Sequence, residues 1–270
     1  MGFARGSLLG FVGVLLFLSL LIGNLFWIFS SSLEYGQLKS EITPLISLKI
    51  NKTLPDVEFM NFSCINESEF VFYQSQFETQ ILIPCEIVDL GREEILSYSE
   101  DYILEDSYYG EYDCSFVNCL FGKGFIPMFA FSKTSKNYFQ GRFLFFLLIS
   151  LILTGVVFLL VSQKLNFLPI LGGLIIISAI PLKKLGVAIT FLLPSFFEEF
   201  GLVFVSKAEF VSSIILTFGL IVLVLGLIWK FLKFDRVKKK FTRREVEEIV
   251  KAEANKSNVK KAKEKLTFNT

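Results

Sequence analysis

The chain alternates between long stretches with no charged position and stretches where charges recur every few residues. Residues 8–29, LLGFVGVLLFLSLLIGNLFWIF, run without a charge. At 1.5 Å rise per residue a helix over them covers about 30 Å, the thickness of a bilayer's hydrocarbon core. The runs 143–162 and 210–229 are of the same kind and predict two further spanning helices. A fourth span, 167–184, is uncharged from Phe167 to Leu182, just ahead of Lys183 and Lys184. Pro181 is expected to kink or end it, because proline lacks the amide that the helix ladder needs. Only SQKLN separates it from the span before, so the two are expected to run antiparallel. A chain of 270 residues is too small to bury such all-round apolar helices in a protein core.

Between the first two spans the period changes. VEFMNF (57–62), EFVFY (69–73), FETQILI (77–83) and CEIVDL (85–90) read as short strands, and GREEILSY as a short helix. The expected fold is an integral membrane bundle of four transmembrane helices. A small β-rich (α+β), disulfide-stapled extracytoplasmic domain is inserted between helices 1 and 2. The expected divisions are a signal anchor over 1–30, the inserted domain over 31–141, a three-helix membrane region over 142–234 and a tail over 235–270. A retained anchor is favoured over a cleaved signal because its apolar run exceeds the roughly 7–15 residues of an h-region.

Charge supplies an orientation. Residues 230–270 hold fourteen Lys/Arg against six Asp/Glu, whereas 31–141 hold seven against seventeen. Cytoplasmic flanks carry the Lys/Arg excess, which puts the tail and the N-terminus in the cytoplasm, the acidic segment outside, and the protein in the cell membrane as a multi-pass component. Lys183 and Lys184 fall on the outer side of this arrangement. The cluster Lys230, Lys233, Arg236, Lys238, Lys239 and Lys240 is placed to meet anionic lipid headgroups. Thr242 and Glu245 then form a capping box that starts a tail helix.

All four cysteines, Cys64, Cys85, Cys114 and Cys119, lie in the acidic segment. Outside a membrane, thiols oxidise and disulfides persist, so two bridges are expected, with the sequential pairing favoured because short loops close most easily. A zinc site would need two close pairs, and the first two cysteines are far apart. The sequons at Asn51, Asn61 and Asn66 are glycan acceptors on an exported surface, and the one at Asn255, in the tail, is expected to stay bare. SYSEDYILEDSYYGEYD (97–113) reads chiefly as a solvated acidic loop. Its Tyr102, Tyr108, Tyr109 and Tyr112 also form a candidate surface for a cationic or carbohydrate partner. After Pro194, Ser195 and Glu198 resemble a helix start, and an amphipathic helix near 195–209 is expected along the outer interface. Glu198 and Glu199 are its candidate membrane carboxylates.

The chain has no histidine, which removes imidazole bases and histidine-bound metals, and it carries no phosphate-binding loop, nucleophile elbow or dinucleotide fingerprint. No cofactor, no metal and no specific nucleic acid are expected. The layout resembles that of claudin-type four-helix proteins, in topology alone, with both termini inside and a long cysteine-bearing first outer loop. The tryptophan–glycine–leucine–tryptophan motif of that family is absent, since the only tryptophans are Trp27 and Trp229. The expectation is a non-enzymatic membrane protein that presents its outer domain to a protein or glycan partner, alone or in a homo- or hetero-oligomer. The alternative is a subunit of a small transporter or channel using the broken-helix region 167–210.

Overall fold

The computed structural model of the chain describes residues 2–74, 79–121, 127–185, 201–232 and 251. Helix α1 (Gly2–Ser32) leads through two residues, Leu33 and Glu34, into α2 (Tyr35–Thr53) and then α3 (Val57–Ser63). A hairpin of β1 (Glu69–Gln74) and β2 (Thr79–Pro84) follows, then α4 (Cys85–Leu90), α5 (Arg92–Tyr109) and α6 (Phe116–Phe121). A 3₁₀ turn over Pro127–Phe131 precedes α7 (Lys133–Leu160) and α8 (Phe167–Lys183). The last described helix, α9 (Gly201–Leu232), contains a turn at 205–207.

Among the described residues, four segments are long and apolar enough to cross a membrane: Arg5–Ser32, Lys133–Leu160, Lys164–Lys183 and Gly201–Leu232. Large apolar side chains stand bare on them, among them Phe11 at 63%, Leu151 at 65% and Phe218 at 58% exposure. Water does not tolerate a belt of that size on a monomer, whereas lipid tails do. Helix α1 lies between α7 and α8 and packs on both. Polar side chains join the helices inside the bundle. The Ser19 and Ser150 hydroxyls lie 3.0 Å apart across α1 and α7, and Asn24 Nδ2 donates to Ser178 Oγ on α8 at 3.5 Å.

Glycines set the contact between α8 and α9. A β-carbon on Gly172 would come within 2.6 Å of the Leu223 amide nitrogen, and one on Gly226 within 2.6 Å of Pro169 Cδ. The two backbones meet there because neither residue carries a side chain.

The segment between the first two spans is mostly helical, which corrects the β-rich expectation. Only the hairpin forms a sheet among the described residues, pairing Phe70 with Ile83 and Phe72 with Ile81 in antiparallel register. VEFMNF is helix α3 and CEIVDL is helix α4, because six-residue apolar windows fit either period and the surrounding packing decides. The acidic stretch expected as a loop is most of α5, eighteen residues long. Helix α2, nineteen residues, had no counterpart in the expected elements. It buries Leu38, Ile42, Ile46 and Ile50, a stripe repeating every fourth position. Its Pro44 lies on the exposed side, where water can satisfy the carbonyl that proline leaves without a donor.

These elements form a head with one core. Leu38, Ile42, Ile46 and Ile50 of α2 meet Ile95, Ile103, Leu104 and Tyr108 of α5 over Phe72, Ile81 and Ile83 of the hairpin. The same core takes in Phe26 and Phe29 of α1, Phe139 of α7, and Val203 and Phe204 of α9. The head is therefore packed directly onto one end of the apolar bundle. Helix α7 begins ten residues before its uncharged run, where Ser132 caps it by accepting from the Ser135 amide at 3.2 Å.

Candidate functional site

Helices α2 and α5 run antiparallel, and three polar contacts fix their register. At the bundle end, Tyr108 donates its hydroxyl to the Leu33 carbonyl at 3.3 Å. Midway, Lys39 Nζ meets Asp101 Oδ1 at 2.7 Å, a pair that raises the Lys39 pKa through the hydrogen bond to Asp101. At the far end, Arg92 donates to Asn51 Oδ1 from Nε at 3.2 Å and from Nη2 at 2.9 Å. Nineteen residues of α2 correspond to roughly 28 Å, so the Asn51 end lies about one helix length from the α1 junction.

The four singled-out tyrosines divide into two kinds. Tyr108 is core, 3% exposed, and burial pushes its phenol up to about 12. Tyr112 donates to the Ser107 carbonyl at 2.8 Å and packs edge-on against Phe129, with burial again raising its pKa to about 12. Tyr109 is exposed, and Tyr102 is half-buried against the head core. With Glu105, Asp106 and Gly110 they line an open concavity of about 320 Å³ on the outside of α5. Burial, then the charge of Asp106, raises the pKa of Tyr102. Lys133 Nζ already stands 5.7 Å from the Tyr109 ring centre, so the rim accepts a cation against an aromatic face. An aromatic wall beside two carboxylates suits an ammonium or guanidinium group.

The cysteines pair as Cys64–Cys85 and Cys114–Cys119, each with a Cα separation of 5.6 Å, within the range that a disulfide spans. The first ties the end of α3 to the start of α4, and the second closes a single turn around α6. Among the described residues, no cluster of three or more metal-ligating side chains occurs. The sequon residues Asn51, Asn61 and Asn66 are all exposed, at the end of α2, within α3 and in the turn after α3.

Glu198, Glu199, Asn255 and the basic residues from Lys233 through Lys240 lie outside the described residues, and Lys230 sits near the end of α9. The expected amphipathic helix near 195–209 is described only from 201. There it is helical to 204 and turns at 205–207. Val203 and Phe204 join the head core, Phe204 packing edge-on against Phe29. Sequence reasoning missed the contacts that join head to bundle. Glu34 pairs with Lys136, and Ser32 Oγ accepts from the Lys207 amide at 3.2 Å. No family model matches the chain, nor does any curated protein or solved structure.

Proposed function

We propose that the protein is a non-enzymatic, multi-pass membrane component that displays its head outside the cell membrane to bind a partner, with both termini cytoplasmic. The observation that carries this reading is the concavity on α5, where Tyr102 and Tyr109 stand beside Glu105 and Asp106. These groups are built for recognition. Tyrosine offers contact area at low entropic cost, and the carboxylates select for positive charge. The partner is a basic protein segment, or a glycan that stacks on the tyrosines, supplied by a different chain or a second copy. Its contacts with lipid are those of the apolar bundle and of the basic cluster that begins at Lys230.

The reading also draws on the lack of histidine and on the absence, among the described residues, of a metal-ligating cluster. Orientation rests on the acidic head and basic tail. Disulfides are at home outside the cytoplasm.

The test is cross-linking in native membranes, comparing the wild-type chain with a Glu105→Gln, Asp106→Asn variant that changes only two exposed side chains. A partner recovered by the wild type and lost by the variant supports the proposal. Identical recoveries contradict it.

A further inference from the structure

We propose that Asn66 and Asn61 carry N-linked glycans that cover an aromatic patch on the far end of the head. The inference extends the outward-facing reading above and rests on it. Helix α3 and the turn after it bury one face, with Met60 fully inside and Cys64 tied to Cys85. The opposite face carries Phe59, Phe62 and Ile65 at 59%, 73% and 70% exposure. Apolar side chains this bare on a domain in water mark a surface that something covers. This end begins about one α2 length from the α1 junction. The sequons fall inside the patch. Asn61 stands one turn before Ile65, and Asn66 one turn after Phe62. Asn61 directly precedes Phe62 and Asn66 directly follows Ile65, so a sugar on either amide starts beside an exposed apolar side chain.

The three outer acceptors differ in a way that predicts their use. Asn66 lies in a turn, outside any helix, and is exposed. Asn61 is inside α3, where the Ser63 hydroxyl of its sequon donates to the Phe59 carbonyl at 3.2 Å, so its modification must precede closure of that helix. Asn51 is the most constrained, since its amide oxygen accepts twice from Arg92 and its Thr53 hydroxyl bonds back to Lys49 and Ile50. Occupancy therefore falls from Asn66 to Asn61 to Asn51. The donor is an oligosaccharide carried on a lipid phosphate. The asparagine Nδ2 bonds to the anomeric carbon of the first sugar, and that carbon's bond to the phosphate oxygen breaks. The lipid phosphate leaves with the electron pair, and the amide nitrogen gives up one proton to a base of the transferase.

The experiment has two readouts on the full chain from its own host. Glycopeptide mass spectrometry reads which asparagines bear sugar, with the expected order Asn66, Asn61, Asn51 and a bare Asn255. Hydroxyl-radical footprinting in membranes then compares oxidation of Phe59 and Phe62 in the wild type and in an Asn61→Gln, Asn66→Gln variant, where both rates rise. Unmodified Asn61 and Asn66 overturn the assignment, and unchanged oxidation overturns the covering role. Sugar on Asn255 with none on the head would instead contradict the orientation, so the two failures are separable.

Discussion

The Tyr108 hydroxyl donates to the Leu33 carbonyl at 3.3 Å, joining the last turn of α5 to the residue where α1 gives way to α2. The bond is buried and spans 75 positions of chain. Around it, Tyr35 and Tyr109 pack their rings against that of Tyr108 at 5.1 and 4.9 Å. This contact makes the head continuous with the bundle. Tyr108→Phe keeps the ring and removes the donor, and should cost about 1–3 kcal/mol because a buried acceptor loses its partner. Thermal unfolding of the purified protein in detergent checks it.

The same residue predicts a pH dependence. In the folded chain, burial holds the phenols of Tyr108 and Tyr112 up to about 12, above the ordinary value of 10.0. Folded protein therefore keeps those protons at pH values where unfolded chain has released them. The stability this supplies is fully present below about pH 10 and is lost as pH rises through 12. Unfolding midpoints measured across that window should fall more steeply for the wild type than for Tyr108→Phe.

The two disulfides should differ in worth. Cys64–Cys85 closes a separation of 21 residues and Cys114–Cys119 one of 5. Constraint of the unfolded chain grows with loop length, giving roughly 3 kcal/mol for the first and roughly 2 for the second. Cys85→Ser should lower the unfolding midpoint more than Cys114→Ser, and both losses should be reproduced in the wild type by reductant. Equal midpoints for the two variants would argue against the loop-length account.

The glycines of α8 give a paired test inside the bundle. Gly172→Ala would drive a β-carbon into the α9 backbone, whereas Gly173 has nothing within 4 Å of that position. Overpacking of this kind costs about 1–3 kcal/mol, while a helical glycine replaced in open space is neutral or gains about 0.5–1 kcal/mol. Tryptophan fluorescence from Trp27 and Trp229 during thermal unfolding distinguishes the two directions.

Much of this fold is legible in the residues themselves, and the boundary of legibility has a physical cause. The four long apolar helices could be read because length and an absence of charge are local properties of the chain. The hairpin could be read because Phe70, Phe72, Ile81 and Ile83 alternate with exposed positions over two adjoining runs. Helix α2 was missed although Leu38, Ile42, Ile46 and Ile50 keep a four-residue spacing, because Pro44 and the β-branched isoleucines weigh against a helix. In α5, the carboxylates hid a second such stripe, Ile95, Ser99, Ile103 and Ser107. Of the candidate surface, the residue types were visible but not their division. Only packing separates Tyr108, buried in the core, and Tyr112, half-buried against Phe129, from Tyr102 and Tyr109 at the concavity.

The side of the membrane on which Cys64 and Cys85 stand is the most direct check of an outward-facing head. In sealed right-side-out vesicles treated with a reductant and a maleimide that cannot cross lipid, both cysteines should be labelled. In inverted vesicles they should stay unlabelled until detergent is added. Labelling only in the inverted vesicles would place the head in the cytoplasm and contradict the proposed orientation.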